Sequence, residues 1–153
     1  MILDTNHFGI SVNNLDEWVD FFCEFLNLRC TQRRRISDKY VSSLVAEDDA
    51  SAEIALLETQ DGDYIELVQW MHRGKTIFPQ LDKANVVGLG QAHLCLNVRN
   101  IEKVIETALL SDMARLISKE ITVVTSGPNV GAKVAFLEVG TFLYLELFER
   151  TSI

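Results

Sequence analysis

Two histidines and two glutamates occupy matching places in the two halves of this chain. His93 lies 86 residues after His7, and an asparagine, Asn14 or Asn100, stands seven positions beyond each. After both histidines, apolar residues fill the first, third, fifth and eighth places: Phe8, Ile10, Val12 and Leu15 in one half, Leu94, Leu96, Val98 and Ile101 in the other. Each half then ends in an apolar run with a central carboxylate, Ile65-Glu66-Leu67-Val68 and Leu145-Glu146-Leu147-Phe148. Glu146 follows Glu66 by 80 residues, so the second half is six residues shorter between these landmarks, as duplication with loop trimming would leave it.

The chemistry open to such a set is metal binding. Imidazole nitrogen suits borderline ions and carboxylate oxygen harder ones, so His7, Glu66, His93 and Glu146 would together hold one divalent first-row ion. Nickel, cobalt and zinc are favoured, with manganese and iron also admissible. Four ligands leave one or two positions open, and an open position makes the ion a Lewis acid toward a carbonyl oxygen. A carboxylate able to leave the ion becomes a proton acceptor beside it, which makes Glu66 and Glu146 the catalytic candidates.

Alternation along extended chain places all four on a common kind of surface. Successive strand side chains point to opposite faces, so Glu66 opposes Ile65 and Leu67, Glu146 opposes Leu145 and Leu147, His7 opposes Phe8, and His93 opposes Leu94. Taken singly, a strand histidine is more often a hydrogen-bonded structural residue, and a strand glutamate more often faces solvent. The repetition of both in both halves favours a shared site. The same alternation directs Ser11, Trp70, Cys95 and Asn97 toward the cavity as substrate-lining residues.

These residues need elements to position them. His7 to Val12 reads as a half-buried strand, after which Leu15, Trp18, Val19, Phe22, Phe25 and Leu26 recur at helical spacing behind an Asn14 cap. Leu28 to Arg35 and Val41 to Val45 read as weaker strands, with Glu47-Asp48-Asp49 as a turn. Ala52 to Glu58 and Tyr64 to Trp70 make a hairpin about Asp61-Gly62. Past a connecting stretch from Met71 to Gly90, the opening pattern returns at His93. A second helix begins at Asn100 and buries Ile101, Val104, Ile105, Ala108 and Leu109. Strands over Ile121 to Thr125, Lys133 to Glu138 and Phe142 to Phe148 follow, with Ser126-Gly127-Pro128-Asn129 as a turn. The class expected is α+β, with curved sheets forming a shared cavity.

Charge and cysteine usage narrow the partners. A net charge of −8 opposes nucleic acid and anionic membranes. The three cysteines form no C-x-x-C pair, and a reducing, cytoplasmic setting fits them. No apolar run approaches the ~20 residues of a membrane span. Arg33-Arg34-Arg35 reads as a solvated edge rather than an anion site.

These stretches together resemble the vicinal-oxygen-chelate superfamily, which includes glyoxalase I, methylmalonyl-CoA epimerase, extradiol dioxygenases and bleomycin-resistance proteins. The matching segments are His7-Phe8-Gly9-Ile10-Ser11-Val12, Asp61-Gly62-Asp63-Tyr64-Ile65-Glu66-Leu67, His93-Leu94-Cys95-Leu96-Asn97-Val98 and Gly127-Pro128-Asn129-Val130-Gly131 leading to Leu145-Glu146-Leu147-Phe148. The resemblance covers nearly the whole chain. It implies one domain over 1–153, built of βαβββ modules at 5–70 and 91–149 with a metal at their interface, and a homodimer. The His, Glu, His, Glu order is similar to bacterial glyoxalase I and to the epimerase. Both move a proton next to a carbonyl of a small molecule whose enolate oxygen the metal holds, as a lyase or an isomerase. Where glyoxalase I carries the arginine and asparagine that hold glutathione, this chain has Ser11 and Trp70, so glutathione does not carry over. Two other functions fit the superfamily: an Fe(II) extradiol-type dioxygenase using His7, His93 and Glu146, and a non-catalytic antibiotic-binding protein.

Overall fold

A computed structural model of the chain describes residues 6–37, 39–45, 48–76 and 92–150. It divides into two compact units, Met1–Pro79 and Gln80–Ile153. Each carries its own mixed five-stranded sheet, in keeping with the α+β class.

In the first unit, β1 (Phe8–Ser11) leads through Asn14 into helix α1 (Leu15–Asp20) and a π-helical turn, Phe21–Phe25. The Asn14 side chain accepts a hydrogen bond from Glu17 N at 3.4 Å, satisfying one of the free amides of the first turn. The extra residue of the π turn brings both Phe21 and Phe22 into the core, where the spacing had suggested Phe22 alone. Strand β2 (Arg29–Ile36) follows, then a short helix α2 (Lys39–Val45), and β3 (Ala50–Glu58), β4 (Tyr64–His72) and β5 (Lys75–Thr76). The sheet order is β1-β4-β3-β2, with β5 on β4. Only the β1–β4 pair is parallel, because α1 intervenes and carries the chain back across the sheet.

Residues 65, 67, 69 and 71 of β4 face α1. Gln69 shows the contact: its Oε1 accepts from Leu15 N at 2.7 Å at the start of the helix. Trp18, Phe22 and Leu67 are almost wholly buried there. Tyr64, Glu66, Val68 and Trp70 point to the opposite face, which α1 leaves uncovered.

The second unit repeats the plan. Strand β6 (Leu94–Asn97) leads into α3 (Ile101–Ala108), then β7 (Ala114–Leu116), β8 (Thr122–Val123), β9 (Lys133–Val139) and β10 (Leu143–Glu149). The order is β6-β10-β9-β7, with β8 on β9, and β6–β10 is again the parallel pair. Two groups cap α3. Asn100 Oδ1 accepts from Lys103 N at 3.0 Å, and the Glu149 carboxylate accepts from Asn100 N at 2.5 Å.

Several expectations need correction. Val41 to Val45 is helical, not extended: Val41 is fully buried against β3, and that packing overrides the strand preference of its two valines. Leu109 caps α3 and is 43% exposed, because the helix ends at Ala108 and Leu109 falls past the packed turn. The strand expected over Ile121 to Thr125 is confined to Thr122–Val123, and β7 was not anticipated, since three residues are too few to display a period. Within the stretch from Met71 to Gly90, β4 runs on to His72 and turns back into β5 through Arg73 and Gly74, both at positive φ. The rest of that stretch, 77–90, and Glu47 of the expected acidic turn lie outside the described residues.

Leu67 is fully buried on the helix side of β4, directly beside Glu66 in the chain. Leu67→Ala is expected to cost about 2–5 kcal/mol of stability by urea unfolding, from lost burial and the cavity left behind.

Candidate metal centre

Each unit pairs one histidine with one glutamate. His7 and His93 sit immediately before β1 and β6 rather than inside them, so each imidazole lies at a strand mouth. Parallel pairing then sets Gly9 opposite Glu66 and Cys95 opposite Glu146. On their other sides the carboxylates face Leu56 and Phe136 in the antiparallel ladders. The surroundings thus correspond position by position, with Gly9 and Leu56 in one unit matched by Cys95 and Phe136 in the other.

The separations are short. His7 Nε2 lies 3.7 Å from Glu66 Oε1, and His93 Nε2 lies 2.9 Å from Glu146 Oε2. Two donors each about 2.1 Å from one ion, at angles between the octahedral and tetrahedral values, stand about 3.0–3.4 Å apart. Both pairs lie close to that span, so within each unit the spacing of histidine and glutamate fits two donors to a divalent ion. The glutamate side chains are only 20% and 21% exposed, while the imidazoles remain about two-fifths exposed.

His7 is oriented from behind. Its Nδ1 lies 2.8 Å from the Asn6 side-chain oxygen, which can only accept, so Nδ1 donates there and Nε2 is turned toward Glu66. His93 is held differently, with its ring edge-on to Phe136 at 5.4 Å between centroids. Asn6 and Phe136 escaped the sequence reading: an adjacent amide carries no periodic signal, and Phe136 looks like any strand core residue.

The expected lining residues fall on the same uncovered faces. Ser11 and Trp70 are joined on the first sheet, where Ser11 Oγ accepts from Trp70 Nε1 at 3.1 Å. Cys95 and Asn97 are exposed on the second, across from Glu146 and Phe148. Partial burial, then the charge and hydrogen bonding of Glu146, push the Cys95 thiol up to about 11. Among the described residues of each unit, the histidine and glutamate stand as a pair, and no three of His, Cys, Asp and Glu gather as a metal-binding group.

The first sheet also carries a hollow of about 200 Å³ on this face, lined by His7, Glu66, Gln32, Arg34, Ile54 and Leu56 beside Asn6. Gln32 and Arg34 were missed in the sequence. The Arg33–Arg35 run lies exposed on β2, the edge strand of the sheet, as the solvated-edge reading expects, and it divides between faces. Arg33 pairs with Asp16 and Arg35 with Glu53 at 4.0 Å, while Arg34 turns into the hollow.

Residues 6–136 match the family described as the glyoxalase/bleomycin resistance protein/dioxygenase superfamily. The chain belongs to that superfamily. No curated protein matches its sequence. Among solved structures it is similar to a glyoxalase family protein from Bacillus cereus, with 22% identity over 99% of this chain and 97% of that one, and a TM-score of 0.81. It is also similar to a glyoxalase I variant from Zea mays, at 16% identity and a TM-score of 0.66, covering 96% of this chain but 45% of the maize chain. The fosfomycin resistance protein FosX from Listeria monocytogenes, crystallised with Mn(II) and sulfate, aligns at 12% identity and a TM-score of 0.61, over 99% of this chain and 95% of that one. Identities this low show a shared fold and leave the particular activity open. No described helix is long and apolar enough to cross a membrane.

The raised Cys95 thiol gives a direct check on its placement against Glu146. In chelator-treated protein, Cys95 should alkylate slowly with iodoacetamide at pH 8, the rate climbing as pH approaches 11. Glu146→Gln removes the repelling charge and should speed Cys95 labelling at pH 8 several-fold, as followed by peptide mass spectrometry. Unchanged labelling would separate the two groups.

Proposed function

We propose that the chain is a metal-dependent lyase or isomerase that moves a proton at the carbon next to a carbonyl of a small molecule. His7, Glu66, His93 and Glu146 hold one divalent ion, with nickel, cobalt or zinc favoured and manganese or iron admissible. The observation that carries this reading is the recurrence, in both units, of a histidine nitrogen 2.9–3.7 Å from a carboxylate oxygen on an uncovered sheet face. The superfamily membership and the Mn(II) in the FosX crystal support it.

When bound, the ion supplies Lewis-acid polarisation of a carbonyl oxygen. The chain does the rest. Asn6 accepts from His7 Nδ1 and so turns Nε2 toward Glu66 and the ion. The ring of Phe136 steadies His93. Glu66 and Glu146, largely shielded from water, accept and return the proton. Ser11, Trp70, Cys95 and Asn97 line the substrate space. The reading takes the protein as a cytoplasmic homodimer whose modules share a cavity, pairing either within one chain or across two copies.

The test is metal analysis joined to proton exchange. Protein purified without chelators should carry one ion per chain. His7→Ala and His93→Ala should weaken metal affinity at least ~10-fold while circular dichroism stays unchanged. In D2O, a panel of small 2-oxo compounds and thioesters should reveal deuterium wash-in at the carbon beside the carbonyl. Glu66→Gln or Glu146→Gln should slow that wash-in by roughly 100-fold or more. Wild-type protein that binds no metal and catalyses no exchange would refute the reading. Oxygen uptake on catechols without exchange would favour the Fe(II) dioxygenase alternative.

A further inference from the structure

Arg34 is the cation in the hollow beside His7 and Glu66, and its neighbours account for why it stands there. A β-bulge between Cys30 and Gln32 resets the register of β2 against β3. Beyond it, Gln32 pairs across from Leu56 and Arg34 across from Ile54, which puts both on the face that carries Glu66. Arg33 and Arg35 turn the other way and pair with Asp16 and Glu53. Of the three arginines, Arg34 alone has no ion pair among the described residues.

Three further features bear on its role. The hollow is bordered by an apolar cluster, Ala52, Ile54 and Val68 with Ile36 and Trp70 packed against it. Arg34 is exposed and meets this floor at Ile54, so its planar fork is open to a bidentate anion there. Within the hollow the single formal counter-charge is Glu66, and on the proposed reading Glu66 gives its charge to the ion. Arg34 is then left uncompensated at the edge of the substrate space. Gln32, beside it, offers an amide that can donate to a second oxygen of the same group.

We propose that Arg34 is a specificity-determining residue that binds an oxyanion of the substrate, a carboxylate or a phosphonate, while the substrate's apolar part lies on Ile54 and Trp70. This rests on the metal reading for the reacting end of the substrate, but the anion contact itself does not require the ion. It narrows the substrate class to small acids that carry a carbonyl or a similar oxygen at one end and a negative group at the other.

Isothermal titration with methylphosphonate and with acetate, against acetamide as a neutral control, tests this. Metal-loaded wild-type protein should bind one or both anions and ignore acetamide, and the stronger of the two names the source. Arg34→Met should weaken anion binding roughly 10- to 100-fold, and Arg34→Lys should recover part of it, with metal content unchanged in both. A second arm separates this from the metal reading. In chelator-treated Glu66→Gln protein Arg34 has no carboxylate beside it, so anion binding should persist there and disappear on adding Arg34→Met. Wild-type protein that binds neither anion, or equal affinity with and without Arg34, overturns the proposal. Arg34-dependent binding in the second arm upholds it even where no metal is found.

Discussion

In each unit, the parallel pairing of the first strand with the strand that carries the glutamate, β1 with β4 and β6 with β10, is the constraint on which the rest depends. Gly9 lies against Glu66 in one and Cys95 against Glu146 in the other, and these registers set which side chains share a face. A slip of one residue would turn the carboxylate onto the helix-covered side and its apolar neighbours outward, burying a charge and exposing Leu67 or Leu147. The ladder extends one bond beyond each first strand, Val12 N to Val68 O and Val98 N to Phe148 O, both at 2.9 Å. The register is thereby fixed at the helix end, and the histidine is carried to the far end of the same strand.

From that register the electrostatics follow. A glutamate one-fifth exposed has lost much of its hydration, and an imidazole brought within 4 Å of it is a partner either as a protonated ion pair or as a second ligand to a cation. In the first unit the Asn6 contact is compatible with either role: it takes the Nδ1 proton and turns Nε2 toward Glu66. Arg34 makes a different contribution to the same face: a positive charge that β2 places there and that forms no ion pair among the described residues.

Much of this was legible before any coordinates. The strand alternation at His7, Glu66, His93 and Glu146 names the face, and the Asn14 and Asn100 caps mark where both helices begin. These signals survive because each rests on a local rule, period two or a single capped amide. What was not legible depends on distant partners. Val41 to Val45 carries strand-forming residues yet is helical, since one buried valine against β3 outweighs local preference. Arg34 could not be assigned to a face, because the bulge near Thr31 shifts the phase of β2 and bulges leave little trace in a sequence. Leu109 matched the helical spacing but falls just beyond the last packed turn.

The proposed function rests on His7, Glu66, His93 and Glu146 ligating one ion, and X-ray absorption at the metal edge of cobalt- or nickel-loaded protein tests that proposal most directly. It predicts a first shell of nitrogen and oxygen alone, with outer-shell scattering from two histidine rings and one ion per chain. A shell containing sulfur from Cys95, or one showing no more than a single imidazole, would contradict it.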